Sequence, residues 1–214
     1  MEFTQDWFTR YIPKWKELLG EMSGKPGIRA LEVGSFEGRS ACWLLENVLT
    51  GTAAHLDCVD TFTAPVETVV DHLDARGLRA RFDANIAPWR ERVTVHVDES
   101  ANVLRSLTGP YDFIYIDGSH LAPDVLADAV LAWLLLKSGG IMIFDDFRWD
   151  RMPRPEQCPG IAIEGFLRCH SGWYDLLHAD WQVAIRKRPS YRPDVPVEPT
   201  SFKVFESVGF KYRV

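Results

Sequence analysis

The sequence predicts an open α/β fold: a mostly parallel, seven-stranded sheet with helices on both faces and a closing antiparallel hairpin. Three observations predict it. Short apolar bursts alternate with helical patterns along most of the 214 residues, the order that gives parallel strands joined by right-handed crossovers. The first burst runs into Gly34-Ser35-Phe36-Glu37-Gly38, a tight strand-to-helix turn. Three later bursts end in an acid, at Asp60, Asp117 and Asp145. In open α/β sheets ligands sit beyond the C-terminal strand ends, so the ends of the first, second, fourth and fifth strands should share one site.

Taken in order, residues 1–23 place Phe3, Trp7, Phe8, Tyr11, Trp15, Leu18, Leu19 and Met22 at helical spacing, with Pro13 expected to kink the segment or split it in two. After the loop Ser23–Gly27 come a first strand over 28–33 and its helix over 38–49. A second strand spans 55–60. Residues 61–92 exceed a plain crossover: one helical pattern covers Val66–Leu73, Gly77 breaks it, and a second runs from Leu78 to Ile86 before Pro88. A third strand at 93–97 precedes a helix over 100–107. Gly109-Pro110 turns into a fourth strand over 111–117. Pro123 opens a helix, where its missing N–H does no harm, and Ser138-Gly139-Gly140 stops it after Lys137. Ile141–Phe144 is nearly all apolar, as a strand covered on both faces should be. An irregular loop (147–158), a helix (160–168) and two strands (173–178 and 181–187) follow. Four prolines make 189–199 an extended arm, and 200–214 either a last strand or a docking segment.

Composition narrows the class. Hydrophobic residues make up 46%, enough for a substantial core. A net charge of −6 argues against a non-specific nucleic-acid binder. No apolar run is long enough to cross a bilayer and no secretory signal is visible, so a cytoplasmic protein is expected. The four cysteines lie far apart without metal spacing and read as reduced thiols.

The glycine turn points to a cofactor. Phosphate loops need Gly-x-x-x-x-Gly-Lys-Ser/Thr, which is absent, and position 36 is Phe where a dinucleotide fingerprint has its middle glycine. Glu32-x-Gly34-x-x-x-Gly38 suits a smaller ligand without phosphates. Here the chain resembles the class I S-adenosylmethionine-dependent methyltransferases, whose first motif reads Glu/Asp-x-Gly-x-x-x-Gly. The resemblance implies a Rossmann-like domain over 28–188, between an N-terminal helical cap (1–27) and a Pro-rich C-terminal arm (189–214). It implies that Glu32, Gly34, Ser35, Phe36 and Gly38 hold the methionine part of S-adenosylmethionine. Asp60, with Thr61 beside it, stands where the family holds the ribose, although a strand-ending turn would also use an Asp. Asp98 and Ser100 match positions near the adenine, and Ser100 is equally suited to cap a helix.

The strand ends Asp117-Gly118-Ser119-His120 and Asp145-Asp146 gather three carboxylates and an imidazole. Like charges this close need a cation or a proton between them. Hard divalent ions prefer oxygen ligands. The pair of strand ends resembles that of the methyltransferase 24 group and of the metal-dependent O-methyltransferases of the catechol and macrolide-sugar types. That likeness implies Mg²⁺ or another divalent cation at Asp117, Asp145 and Asp146. Asp117 is then also the residue nearest the methyl donor, and His120 is the base, where catechol enzymes carry Lys. Asp146 stands where they carry Asn. The implied partner is a small-molecule acceptor, such as a natural product or sugar; Phe147, Trp149 and the N-terminal aromatics are expected, from their apolar character, to shape its wall. A metal-independent N-, O- or carboxyl-methyltransferase is the alternative. A dehydrogenase lacks support, since no Tyr-x-x-x-Lys pair is present. The Pro-rich tail is compatible with a homodimer.

Overall fold

The computed structural model describes residues 1–63 and 77–192. Its centre is a seven-stranded sheet made of β1 (Arg29–Val33), β2 (His55–Val59), β3 (Val93–His96), β4 (Tyr111–Ile116), β5 (Leu136–Phe144), β6 (Tyr174–Ala179) and β7 (Val183–Lys187). The strands lie in the order β3-β2-β1-β4-β5-β7-β6. The first five are parallel, and β7 runs antiparallel to both β5 and β6. Helices α1 (Ile12–Leu19), α2 (Arg39–Asn47), α3 (Leu78–Ile86), α4 (Ser100–Ser106), α5 (Ala122–Leu135) and α6 (Pro159–Cys169) connect and cover the strands. The expected sheet, its parallel core and its closing hairpin are all present.

The alternation of side chains along each strand divides the interior into two cores. One contains Trp15, Leu44, Leu56, Phe82 and Phe113; the other contains Leu31, Ile114, Ala129, Phe144 and Phe166. All six residues of β4 are buried, which is why this central strand reads as an apolar run. Trp15 is fully buried and meets Phe8, Trp43, Phe113 and Tyr115 edge-on, with ring centroids 4.8–5.7 Å apart. Helix α1 is therefore part of the main core.

Two boundaries differ from the sequence reading. Pro13 does not kink a helix; it is the second residue of α1, preceded by a short 3₁₀ turn at Thr9–Tyr11, and its missing N–H is one that the first turn leaves unpaired anyway. The fifth strand begins at Leu136, before Ile141. The backbone turns extended at Leu136 (ψ 130°), and the Lys137–Gly140 stretch forms an irregularity where Gly139 takes φ +82° and Lys137 pairs with buried Asp112. The helical pattern at Val66–Leu73 and the arm and tail from 193 onward lie outside the described residues.

The sheet reverses direction of construction at β1: the chain moves outward from it to β2 and β3, then returns to add β4 on the other side. At this switch point the tips of β1 and β4 are pressed together. A Cβ on Gly34 would lie 1.9 Å from the Asp117 carbonyl oxygen, and Gly34 has φ +85°. Both facts exclude a side chain there. Gly20 has an ordinary helical φ of −55° and no heavy atom near its missing Cβ. Gly34→Ala should therefore cost on the order of 3 kcal/mol or more, and Gly20→Ala almost nothing. Thermal melting of the two variants checks this, and equal melting temperatures would contradict the close approach.

Candidate active site

The hydrogen-bond ladder carries one residue past each strand and so aligns the tips. Gly34 N–H donates to Val59 O, Asp60 N–H to His96 O, Asp117 N–H to Val33 O and Asp145 N–H to Ile116 O, at 2.8–3.1 Å. A cavity of about 730 Å³ opens above them. Gly34, Ser35, Phe36, Asp60, Thr61, Asp98, Ser100, Asp117, His120, Asp145 and Asp146 all line it. Glu32 and Gly38, named from the same motif, do not.

Those two residues act behind the loop. Glu32 is fully buried and accepts a hydrogen bond from Ser40 Oγ in the first turn of α2, at 2.5 Å. A Cβ on Gly38 would come within 3.0 Å of Phe82 on α3, so this glycine is required by packing and by its φ of +80°. Asp60 also serves the loop. Its Oδ2 accepts the backbone N–H groups of Ser35 and Phe36, both at 2.8 Å, and its Oδ1 accepts the Phe62 N–H at 2.6 Å. Oδ2 is thereby filled, and one lone pair of Oδ1 remains to meet a hydroxyl. Phe36 (φ 48°) and Asp146 (φ 56°), both lining the cavity, hold left-handed backbone without being glycine, as Ala53 and Phe62 do elsewhere.

On the adenine side of the resemblance, Asp98 Oδ1 accepts the Glu99 N–H at 2.7 Å and the Asn102 amide at 3.2 Å, so it organises the start of α4. Ser100 is the first residue inside that helix and not its cap, which is Glu99. Ser100 lines the cavity together with Asp128 of α5. Asp128 is almost completely buried, lines the cavity, and has no partner for Oδ1 among the described residues. Burial pushes its pKa up to about 7. An orphaned acceptor aimed at a cavity calls for a donor on a ligand, such as an amino group, and the cavity volume suits a ligand the size of a nucleoside conjugate.

The carboxylates after β4 and β5 are organised by residues the sequence reading missed. Tyr115 OH lies 2.8 Å from Asp117 Oδ2 and in short contact with Asp145 Oδ2. Gln182 Nε2 donates to Asp145 Oδ2 at 2.9 Å, and its Oε1 accepts the Trp15 Nε1–H at 2.8 Å. The backbone N–H of Asp146 donates to Asp145 Oδ1 at 2.8 Å. One hydroxyl proton cannot serve two carboxylates, so the pair calls for a further proton or a cation. Burial, and then the charges of Asp145 and Asp146, hold Asp117 well above the usual carboxylate range; burial and Asp146 push Asp145 up to about 6. Tyr115 stands two residues before Asp117 on the same strand, a spacing that placed both on one face. Gln182 carries no comparable local signal.

This arrangement bears on the expected ion. Among the described residues no group of three or more His, Cys, Asp or Glu side chains is placed to hold a metal. Asp117, Asp145 and Asp146 share the edge, but Asp145 Oδ2 is filled by Tyr115 and Gln182, its Oδ1 accepts the Asp146 N–H, and Asp146 Oδ2 lies 3.0 Å from His120 Nε2. As they stand, the three acids do not fit a divalent cation: a hydrogen-bonded chain occupies the place of a cage. The His120 ring also packs on Trp149, centroids 4.6 Å apart. Phe147, expected in the acceptor wall, is buried in the second core, while Trp149 lines the cavity.

A family model described as a methyltransferase domain, the methyltransferase 24 model, matches residues 31–147, more than half of the sequence and the whole span from the glycine loop to the tip of β5. The chain belongs to this family. It is thus a class I S-adenosylmethionine-dependent methyltransferase, as its motifs implied. No curated protein sequence matches it. Among solved structures, an O-methyltransferase from Bacillus cereus in complex with S-adenosylhomocysteine superposes with a TM-score of 0.61 at 17% identity, covering 86% of this chain and 84% of that one. The O-methyltransferase TomG from Streptomyces achromogenes, in complex with S-adenosylmethionine, gives 0.58 at 18% identity, covering 82% and 80%. The methyltransferase MycE of mycinamycin biosynthesis, in complex with Mg, S-adenosylhomocysteine and mycinamycin VI, gives 0.60 at 12% identity, covering 90% of this chain and 53% of that one. These likenesses establish the shared fold. No helix among the described residues is long and apolar enough to cross a membrane.

The buried acids set a pH dependence. Glu32 is raised to about 7, chiefly by burial, alongside Asp128 and Asp145. A carboxyl group with a raised native pKa binds more protons folded than unfolded, so its stabilisation is present at low pH and is lost as pH rises through the native value. The melting temperature should fall between about pH 4 and about pH 7, from the unfolded carboxylate values up to the native ones. Glu32→Gln, which stays neutral, should shrink that fall by the equivalent of about 1 kcal/mol or more. A variant with the wild-type pH profile would show that Glu32 ionises freely.

Proposed function

We propose that the protein is an S-adenosylmethionine-dependent O-methyltransferase acting on a hydroxyl group of a small molecule, with His120 as the general base. The observation that carries this reading is the His120–Asp146 pair, 3.0 Å apart, on the rim of the cavity that the glycine loop also lines. The O-methyltransferase neighbours with S-adenosylmethionine or its product bound support it.

Bound S-adenosylmethionine would supply an electrophilic methyl group on a sulfonium centre. The loop Gly34–Phe36 would hold its amino-acid part, the remaining lone pair on Asp60 Oδ1 its ribose, and Ser100 with Asp128 the edge of its adenine. A bound sulfonium beside Asp117, at the tip of β4, would favour the ionised form of this carboxyl. In the tautomer that donates Nε2–H to Asp146, the basic lone pair of His120 lies on Nδ1, which takes the proton from the acceptor hydroxyl. Asp146 fixes the ring and stabilises the imidazolium that forms. Trp149 packs against the imidazole and limits its rotation.

Magnesium assistance is the finer form of this reading, and MycE, with Mg bound, is its nearest support. It would require Asp145 and Asp146 to surrender Tyr115, Gln182 and His120. The observed bonds favour the form in which the hydrogen-bonded chain organises the carboxylates and no ion takes part.

Calorimetry with S-adenosylhomocysteine should detect binding, and Asp60→Ala should weaken it by about tenfold or more, since three N–H groups lose their acceptor. Unchanged affinity would remove Asp60 from the cofactor site. His120→Ala should lower turnover by roughly 10²–10⁴-fold with product affinity unchanged; a fully active variant would eliminate it as the base. Turnover of labelled cofactor should survive EDTA, and loss restored by Mg²⁺ would establish the metal-assisted form instead.

A further inference from the structure

The proposed chemistry leaves part of the cavity wall unused. Trp7, Tyr11, Trp149 and Trp181 line it, from three separate segments: the chain before α1, the loop after β5 and the turn between β6 and β7. Trp7 is 51% exposed and Trp181 38% exposed. Large indole surfaces left in water at the rim of a cavity are unusual unless something flat covers them. Three guanidinium groups line the same cavity, Arg39, which lies near Asp6 at 3.7 Å, and Arg10 and Arg151. Arg10 bonds to the Tyr11 hydroxyl at 2.6 Å and lies over the Trp181 ring at 5.4 Å; neither Arg10 nor Arg151 pairs with a carboxylate among the described residues. Their neighbour Arg148 pairs with Asp180 at 2.9 Å. Several acids facing the same space are tied to other groups, Asp60 in the glycine loop, Asp117 with Tyr115, Asp124 with Ser119, Asp145 with Gln182 and Asp146 with His120, while Asp128 keeps its orphaned Oδ1. The cavity therefore offers aromatic faces and two cations that have no carboxylate partner among the described residues, beside a histidine base.

We propose that the acceptor is a flat hydroxyaromatic compound carrying a carboxylate: its ring is covered by the indoles of the rim, and its carboxylate answers the charges of Arg10 and Arg151. This rests on the methyltransferase reading above and narrows it to a substrate class. A planar guanidinium matches a carboxylate with two parallel hydrogen bonds, and indole faces favour an electron-rich ring stacked off-centre. The charge sits at one end of such a molecule, so binding it would orient the hydroxyl relative to the base, which a neutral phenol could not secure.

The test uses the full chain saturated with S-adenosylhomocysteine, titrated by calorimetry with hydroxybenzoates and hydroxycinnamates, each set against its own methyl ester. The ester keeps the ring and hydroxyl and removes the charge. At least one acid should bind about tenfold or more tightly than its ester. Arg10→Gln and Arg151→Gln together should abolish that preference, and Trp149→Leu should weaken acid and ester alike. Acids that never outbind their esters, or a preference that survives both arginine substitutions, would overturn the proposal. The two readings fail differently: absence of S-adenosylhomocysteine binding removes the methyltransferase site, whereas a loaded protein indifferent to the carboxylate removes only the acceptor class.

Discussion

The contact on which this molecule turns is between two backbones. Gly34 and Asp117 close the gap between β1 and β4 at the point where the sheet changes direction, and there is no room between them for even a methyl group. Because the tips touch, the loop after β1 is folded back toward β2, where Asp60 takes its N–H groups. Because Asp117 continues the ladder from Val33, its carboxylate and that of Asp145 on the next strand are held side by side. The cavity is what remains above this seam. Open parallel sheets place ligands at such reversals because neighbouring crossovers leave on opposite faces and no helix covers the gap.

Crowding acids at one edge has an electrostatic cost that the protein meets with its own donors. Tyr115 bridges Asp117 and Asp145, Gln182 ties Asp145 to Trp15, and His120 answers Asp146. This chain of bonds runs from the N-terminal helix through the closing hairpin to the candidate base, so the geometry of the reactive edge depends on packing far from it. The raised pKa values of Asp117 and Asp145 follow from the same burial.

The N-terminal segment belongs to the site for a related reason. Glu37, inside the glycine loop, accepts the Thr4 N–H at 2.7 Å and its hydroxyl at 2.8 Å, and also pairs with Arg81 of α3. Asn85 of α3 accepts the Glu2 N–H and donates to the carbonyls of Glu2 and Glu37. These clips lay residues 2–11 across the mouth and bring Trp7, Arg10 and Tyr11 to the rim. The loop proposed to hold the cofactor and the segment proposed to meet the acceptor are thus fastened to each other.

The sequence by itself determined the alternation of strands and helices, the glycine turn, and the acids at the strand tips. These are local signals: apolar runs, turn residues and side-chain period act over a few neighbours and survive without knowledge of the rest. They also placed Asp60, Asp117, His120, Asp145 and Asp146 on one cavity, since a parallel sheet sends all its C-terminal ends to the same edge. What each group touches was decided by the tertiary structure. Glu32 turns inward to Ser40, Gly38 packs on Phe82, and Gln182 arrives from residues far along the chain to bond Asp145. A carboxylate's role depends on which donors lie within about 3 Å of it, and those donors come from elements whose approach is fixed only when both cores pack.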